Sequence, residues 1–285
     1  MIAITGANGH LGSLIIDHLL QSISPGTILP IVREQDKGLP FKKKGMEVRV
    51  ANYADLRSYL KALEGVKVLI QISTTSVGKQ GIKEEMNVVS AAKANGVEHI
   101  IYTSSLAPSL NHQFQGATQA YSTESEIKLS QIPYTFFRNS LYMEVIPRLV
   151  DPTCLEKGIL PYPAGNGRIS FVSRADIAEA MAMVAIHPEE HKNQAYEITG
   201  NQSFTFSELA DQLQKVQPRT FKYLDISIGE YQDTLRKYQI PEPTIEFLSS
   251  MAAGIQKDEF ALVTNTLEEL LERKPTRLRQ YLKSL

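Results

Sequence analysis

Three glycines near the start of the chain, in "ITGANGHLG", are spaced Gly6-x-x-Gly9-x-x-Gly12. They follow a short apolar run and precede Leu11, Leu14, Ile15 and Leu19, which share one helical face. Glycine at a strand-to-helix turn admits a positive φ and lets an anion approach the backbone closely. The free N–H groups of the first helical turn, at the positive end of the helix dipole, can then hold that anion. Alone, such glycines would do no more than ease a strand into a helix. Set between a strand and a helix, and followed by a series of the same units, they point to a dinucleotide pyrophosphate.

The type of dinucleotide is decided at the tip of the second strand. An NAD-binding chain usually carries Asp or Glu about 20 residues past the glycines, on the adenine ribose. Here the segment is "ILPIVRE", which puts Arg33 at that place. Its planar guanidinium fork suits a 2′-phosphate, and Lys37 is near enough to assist. NADPH is therefore the expected cofactor, with NADH as the alternative. A plain surface pair between Arg33 and Glu34 is the competing explanation.

The elements that must position these residues alternate in type. Strand-like runs are predicted at Ile2–Thr5, Ile28–Val32, Glu47–Val50, Val66–Ser73, Glu98–Thr103 and Tyr134–Arg138. Helical patterns lie between them at Leu11–Gln21, Ala54–Leu63, Lys83–Asn95 and Glu124–Ser130. That alternation implies βαβ units and a doubly wound parallel sheet of the Rossmann type. After Arg138 the rhythm changes. Residues 151–168 read as loop with one short strand, followed by a helix at Ala175–Ile186 and strands at Ala195–Thr199 and Phe221–Asp225. Helices are predicted at Ser207–Val216, Ile228–Tyr238, Thr244–Ala253 and Thr266–Arg273. The expected division is a dinucleotide-binding α/β core, 1–139 and 172–200, and a smaller mixed α/β lobe, 140–171 and 201–285, that faces the substrate.

Composition narrows the partners. The 285 residues carry a formal net charge of −1 and are 42% hydrophobic and 21% charged, a balance that gives no reason to expect nucleic acid or an anionic membrane. Lys42-Lys43-Lys44 is too short to change this and reads as an exposed turn. No run approaches the roughly 18 apolar residues of a membrane span, and a strand starting at Ile2 leaves no room for a signal peptide. Cys154 is the sole cysteine, so no intrachain disulfide can form and a cytoplasmic setting is expected. "HPEEH" (187–191) has the spacing of a zinc-protease motif but lacks a helical pattern to aim both imidazoles; it reads as a solvated loop, and no metal is expected.

Several segments together resemble the NmrA-like branch of atypical short-chain dehydrogenases, and within it the type-2 NAD(P)H:quinone oxidoreductases. They are "ITGANGHLG", "IVRE", "ANYAD", "SAAKANGVEHIIYTSS", "IPYTFFRNSLYME", "GNGRISFVSRADIA", "YEITG" and the terminal "TNTLEELLERKPTRLRQYLKSL". The resemblance implies that Gly6, Ala7, Asn8, Gly9, His10 and Leu11 form the pyrophosphate loop, with Arg33 on the 2′-phosphate. It implies that Ser73, Thr74, Thr75, Thr103 and Ser104 wall the ribose and nicotinamide. Ser105, Asn139 and Tyr142 correspond to the substrate pocket.

Ordinary short-chain dehydrogenases use Tyr-x-x-x-Lys, where lysine lowers the tyrosine pKa for general acid work. This chain has "YSTESEIK", with Ser125 four residues after Tyr121 and Lys128 seven residues on, about 10 Å along a helix. Glu124 and Lys128 read as an ordinary i,i+4 surface pair. No catalytic residue is assigned, and Tyr121 is the one candidate. Without that relay, hydride transfer to a quinone-like or extended conjugated small molecule is favoured over alcohol-forming carbonyl reduction. A regulatory NADP(H) sensor without turnover is the alternative, and a nucleotide-sugar epimerase or dehydratase ranks behind both. A homo-oligomer is compatible with the sequence.

Overall fold

The apolar runs fold as strands β1 (Ile2–Ile4), β2 (Ile28–Val32), β3 (Arg49–Val50), β4 (Val68–Gln71), β5 (His99–Ser105) and β6 (Tyr134–Asn139). Later come β7 (Ile159–Tyr162), β8 (Gln194–Ile198) and β9 (Lys222–Asp225) in this computed structural model, which describes residues 1–149 and 156–285. Cys154 lies outside the described residues. Seven strands form one sheet in the order β3-β2-β1-β4-β5-β6-β8, and β7 pairs with β9. The pairs β1–β2, β1–β4, β2–β3 and β4–β5 are parallel. β2, β4 and β5 are buried along their whole length, as strands covered on both faces must be. Strand order reverses between β1 and β4, and a crevice opens there at the carboxyl ends of the strands.

Helices α1 (His10–Leu19), α2 (Leu39–Lys43), α3 (Leu56–Ala62), α4 (Gly78–Ala94) and α5 (Gln115–Ser130) follow their strands. α4 starts five residues before the sequence pattern places it and α5 nine residues before. Their opening turns, "GKQG" and "QGATQAYS", have no apolar stripe for periodicity to detect. Lys42 and Lys43 close the short helix α2 instead of marking a bare turn, and Lys44 pairs with Asp17 at 2.7 Å. His187–His191 is solvent-accessible but contains a short turn. Pro188–His191 is a 3-10 turn, and His191 Nδ1 lies 2.8 Å from the Tyr196 hydroxyl.

The chain clusters into two compact units. The first comprises 1–104, 119–138 and 177–196, with a core that includes Leu29, Ile31, Leu69, Val88, Ile100 and Phe136. The second comprises 105–118, 139–176 and 197–285. Its core includes Tyr162 stacked on Phe206, with ring centroids 4.5 Å apart, together with Leu209, Ile255 and Phe260. Two of its helices, Phe206–Gln214 and Ile228–Lys237, open with full capping boxes at Thr205/Glu208 and Ser227/Glu230.

Glu124 corrects the sequence reading most sharply. It is buried at 3% exposure on α5 and is held by Arg138 of β6, Nε to Oε1 at 2.9 Å and Nη2 to Oε2 at 2.7 Å. Ser104 Oγ donates to the same carboxylate at 2.7 Å. Lys128 instead sits over the rings of Phe136 and Tyr134, 5.5 and 6.0 Å from their centroids. Glu124 is thus a buried brace across β5, α5 and β6. Arg138→Ala should lower stability in urea by about 3 kcal/mol by leaving the carboxylate unpaired, whereas Lys128→Ala should change it little.

His99 on β5 gives a pH dependence. It is 2% exposed, its Nε2 lies 2.8 Å from Thr135 Oγ1, and burial pushes its pKa down from 6.5 to about 4. Between these values the unfolded chain binds a proton that the folded one rejects, so stability falls as pH drops through that window. The loss attributable to His99 should approach about 3 kcal/mol near pH 4. Urea midpoints measured from pH 7 to 4 should fall less steeply for His99→Gln.

Candidate functional site

β1 ends at Ile4, and the chain turns at Gly6 with φ of +59°. Ala7 N donates to the Ile31 carbonyl at 3.2 Å, tying the turn to β2, and Gly9 N donates to the Gly6 carbonyl at 2.9 Å. Helix α1 starts immediately, with Gly9 as an N-cap that offers no side-chain acceptor and no acidic residue in the first turn. Its leading N–H groups are therefore left for an anion, with the dipole in favour. The helix can sit this close because of Gly12. A Cβ there would lie 2.5 Å from the Gly6 oxygen and 2.9 Å from Ala7 Cα.

The turn opens onto a cleft of about 210 Å³ within the first unit. Gly6, Asn8 and Gly9 form one side, Val32 and Arg33 the tip of β2, Asn52, Tyr53 and Tyr59 the segment after β3, and Ile72–Ser76 with Glu84 the opposite wall. The Tyr53 hydroxyl donates to the Ile72 carbonyl at 2.5 Å and sits 2.7 Å from Thr5 Oγ1, which accepts from Ile72 N at 2.9 Å. These contacts fasten the ends of β1 and β4 together under the cleft. Burial pushes the Tyr53 and Tyr59 hydroxyls well above the ordinary tyrosine value, so both stay protonated. Arg33 is exposed, and no ion pair engages it among the described residues, Glu34 included. Open first-turn donors, a glycine cradle that a side chain would fill and an uncommitted guanidinium fit a phosphate-bearing dinucleotide.

Not every expected residue reaches this cleft. Gly6, Asn8, Gly9, Arg33, Ser73, Thr74 and Thr75 line it. Ala7 and Leu11 are buried beneath the loop, His10 is exposed, and Lys37 lies on the 3-10 turn after β2, outside the lining. Thr103 works from below, its Oγ1 accepting from Ser73 N at 2.8 Å, and the Ser104 hydroxyl is committed to Glu124. Tyr121 is 42% exposed on α5, and Ser125 Oγ donates to its carbonyl at 2.8 Å. Sequence reasoning missed Tyr53, Tyr59 and Glu84. The parallel β2–β3 pairing could have placed the "ANYAD" segment at the same sheet edge.

Ser105, Asn139 and Tyr142 belong to the second unit. Leu106 N donates to the Asn139 carbonyl at 2.9 Å, the Asn139 amide faces the Tyr142 hydroxyl, and the Ser105 hydroxyl is buried without a bonding partner among the described residues. The Arg174 guanidinium lies 4.5 Å from the centre of the Tyr142 ring, and burial holds that phenol's pKa up. A larger cleft of about 490 Å³ also lies in the second unit, but its Arg168 is already held by Glu208 and the Ser203 carbonyl.

A glycine turn feeding a helix N-terminus at the switch point of a parallel sheet defines a Rossmann-type dinucleotide-binding protein. The chain belongs to the NmrA-like family, whose pattern matches residues 1–282, and it is an oxidoreductase. It is 34% identical to quinone oxidoreductase 2 of Escherichia coli K12 over 278 residues, 98% of this chain and 96% of that protein. The structure of the E. coli NADPH-dependent quinone oxidoreductase in complex with NADPH superposes with a TM-score of 0.93 at 33% identity, covering 100% of this chain and 99% of the other. Citrobacter sp. triphenylmethane reductase complexed with NADP(H) gives 0.91 at 33% identity, with the same coverage.

Gly12→Ala tests the cradle. Alanine favours a helix interior over glycine by about 1 kcal/mol, yet its Cβ has backbone atoms in its way. The variant should melt several degrees below the parent, a loss of about 1–3 kcal/mol by overpacking. An unchanged or raised melting temperature would show that α1 can move off the loop freely.

Proposed function

We propose that this protein is an NADPH-dependent oxidoreductase that passes hydride to a quinone or a similarly conjugated acceptor in the cytoplasm. The observation that carries the reading is one cleft holding both the glycine turn and Arg33. In it the first-turn N–H groups of α1 hold the pyrophosphate, Arg33 grips the 2′-phosphate, and Ser73–Ser76 close the ribose side. Bound NADPH supplies the hydride.

The acceptor class is read from the surroundings of Tyr121 and Lys128. Tyr121 is solvent-facing, and Lys128 is turned onto aromatic rings, so these residues do not form a lysine-activated tyrosine. An acceptor that spreads the incoming charge over a conjugated system needs no positioned acid, because solvent can complete protonation. The protein then contributes proximity and orientation. The relatives named for a quinone and for a triphenylmethane compound support that class. Recognition of the acceptor is assigned to Ser105, Asn139 and Tyr142. The unpartnered Ser105 hydroxyl would cost about 1–3 kcal/mol if nothing ever satisfied it.

NADPH oxidation with a panel of small quinones should show turnover. Tight binding of the cofactor that discriminates its reduced from its oxidised form, with no turnover of any quinone, would favour the sensor instead. Arg33→Ala should weaken NADPH binding about 10- to 100-fold, the worth of hydrogen bonds to a charged group, and spare NADH. Equal losses for both cofactors would remove Arg33 as the discriminator.

A further inference from the structure

The cleft wall after β4 is irregular backbone: residues 72–77 belong to neither strand nor helix. With no ladder to pair them, their main-chain N–H groups must find other acceptors. Side chains supply them. Ile72 N donates to Thr5 Oγ1 at 2.9 Å, Ser73 N to Thr103 Oγ1 at 2.8 Å, Thr74 N to Glu85 Oε1 at 3.0 Å and Ser76 N to Thr74 Oγ1 at 3.2 Å. Thr74 is the centre of this arrangement, since it receives one anchor and provides another.

We propose that Glu85, with Glu84 and Gly81 on the opening turns of α4, is the positioning element that fixes Thr74 and so sets the cofactor-facing shape of the Ser73–Ser76 wall. This rests on the reading of the cleft as an NADPH site. Glu85 is fully buried, and four groups donate to its carboxylate. Oε1 accepts from Thr74 N and from Gln119 Nε2 at 2.9 Å. Oε2 accepts from the Tyr102 hydroxyl at 2.7 Å and from Thr123 Oγ1 at 2.6 Å. Oε1 meets only N–H donors, so an acceptor is obligatory there, whereas the two hydroxyls at Oε2 can also accept. Burial pushes the Glu85 carboxyl above its ordinary pKa, and the four donors offset only part of that cost, with no cation among them.

The neighbouring Glu84, about 100° further around the helix, faces the cleft. Its Oε2 accepts from Thr74 Oγ1 at 2.6 Å and its Oε1 from Gln80 Nε2 at 2.9 Å. Two consecutive carboxylates therefore take the amide and the hydroxyl of one threonine. Gly81 makes room for this. A Cβ there would lie 2.3 Å from the Ser76 carbonyl oxygen and 2.4 Å from Gln119 Oε1. The same helix thus grips the wall at Thr74 and allows close approach at Ser76.

The test is NADPH titration of the full chain, paired with hydrogen exchange at the Thr74 amide. Glu85→Met, which removes both acceptors, should bind NADPH about tenfold or more weakly and lose Thr74 protection, while Glu85→Gln, with its oxygen toward Thr74, should keep both. Tyr102→Phe and Thr123→Val act on Oε2, away from Thr74; they should lower the melting temperature while binding stays within about threefold of the parent. Gly81→Ala should also weaken binding, against its better helix propensity, and it keeps the test open if Glu85→Met does not fold. Equal effects of Glu85→Met and the Oε2-side variants on affinity, or normal affinity in Gly81→Ala, would overturn the proposal. If the parent itself does not bind NADPH, the cleft reading fails. The clamp is then judged by exchange alone, and a Thr74 amide unprotected in the parent would overturn it.

Discussion

The first unit depends on how closely helix α1 can approach the end of strand β1. A side chain at position 12 would collide with the Gly6 carbonyl, so this single absence brings the open N-terminal turn of the helix to the mouth of the sheet crevice. The left-handed backbone at Gly6 and the Gly9 N-cap follow from the same requirement. Move α1 outward by an ångström or two and the amides no longer converge with Arg33 in one cleft. The chemistry assigned to the protein begins with that contact.

Around the turn, the cleft is assembled by side chains where regular structure gives out. Tyr53 and Thr5 tie the end of β1 to the end of β4, Thr103 supports Ser73, and the α4 glutamates hold Thr74. Each contact supplies a partner for a main-chain group that the sheet no longer serves. Glu124, Arg138 and Ser104 do comparable work deeper in the unit, locking α5 to β5 and β6. Many of the buried polar residues of the unit thus serve irregular backbone near the switch point, while His99 and Thr135 pair within β5 and β6. The strand interiors are mostly apolar, with Leu29, Ile31, Leu69 and Ile100 in the core.

What could be read from sequence alone was local and residue-specific. The glycine spacing, the apolar face of α1 and Arg33 at the tip of β2 are each set within a few positions of one another, and the structure puts the glycines and Arg33 in one cleft. The parallel sheet was legible because its strands are short apolar runs separated by helical periods. Long-range polar pairing was not. Tyr53 meets Thr5 across 48 residues, and Glu85 meets Gln119 and Thr123 across 34 and 38. Glu124 was misread because Lys128 stands at the right helical spacing, although Arg138, on the next strand, takes the carboxylate. The opening turns of α4 and α5 escaped periodicity because their faces meet polar partners, Glu85 and Gln119 among them.

The most direct test of the account is a crystal structure of this protein with NADPH bound. The account predicts the pyrophosphate on the first-turn amides of α1, the 2′-phosphate within hydrogen-bonding distance of the Arg33 guanidinium, and the ribose side against Ser73–Ser76. A dinucleotide bound in this cleft with its 2′-phosphate away from Arg33, or bound elsewhere on the chain, would contradict it.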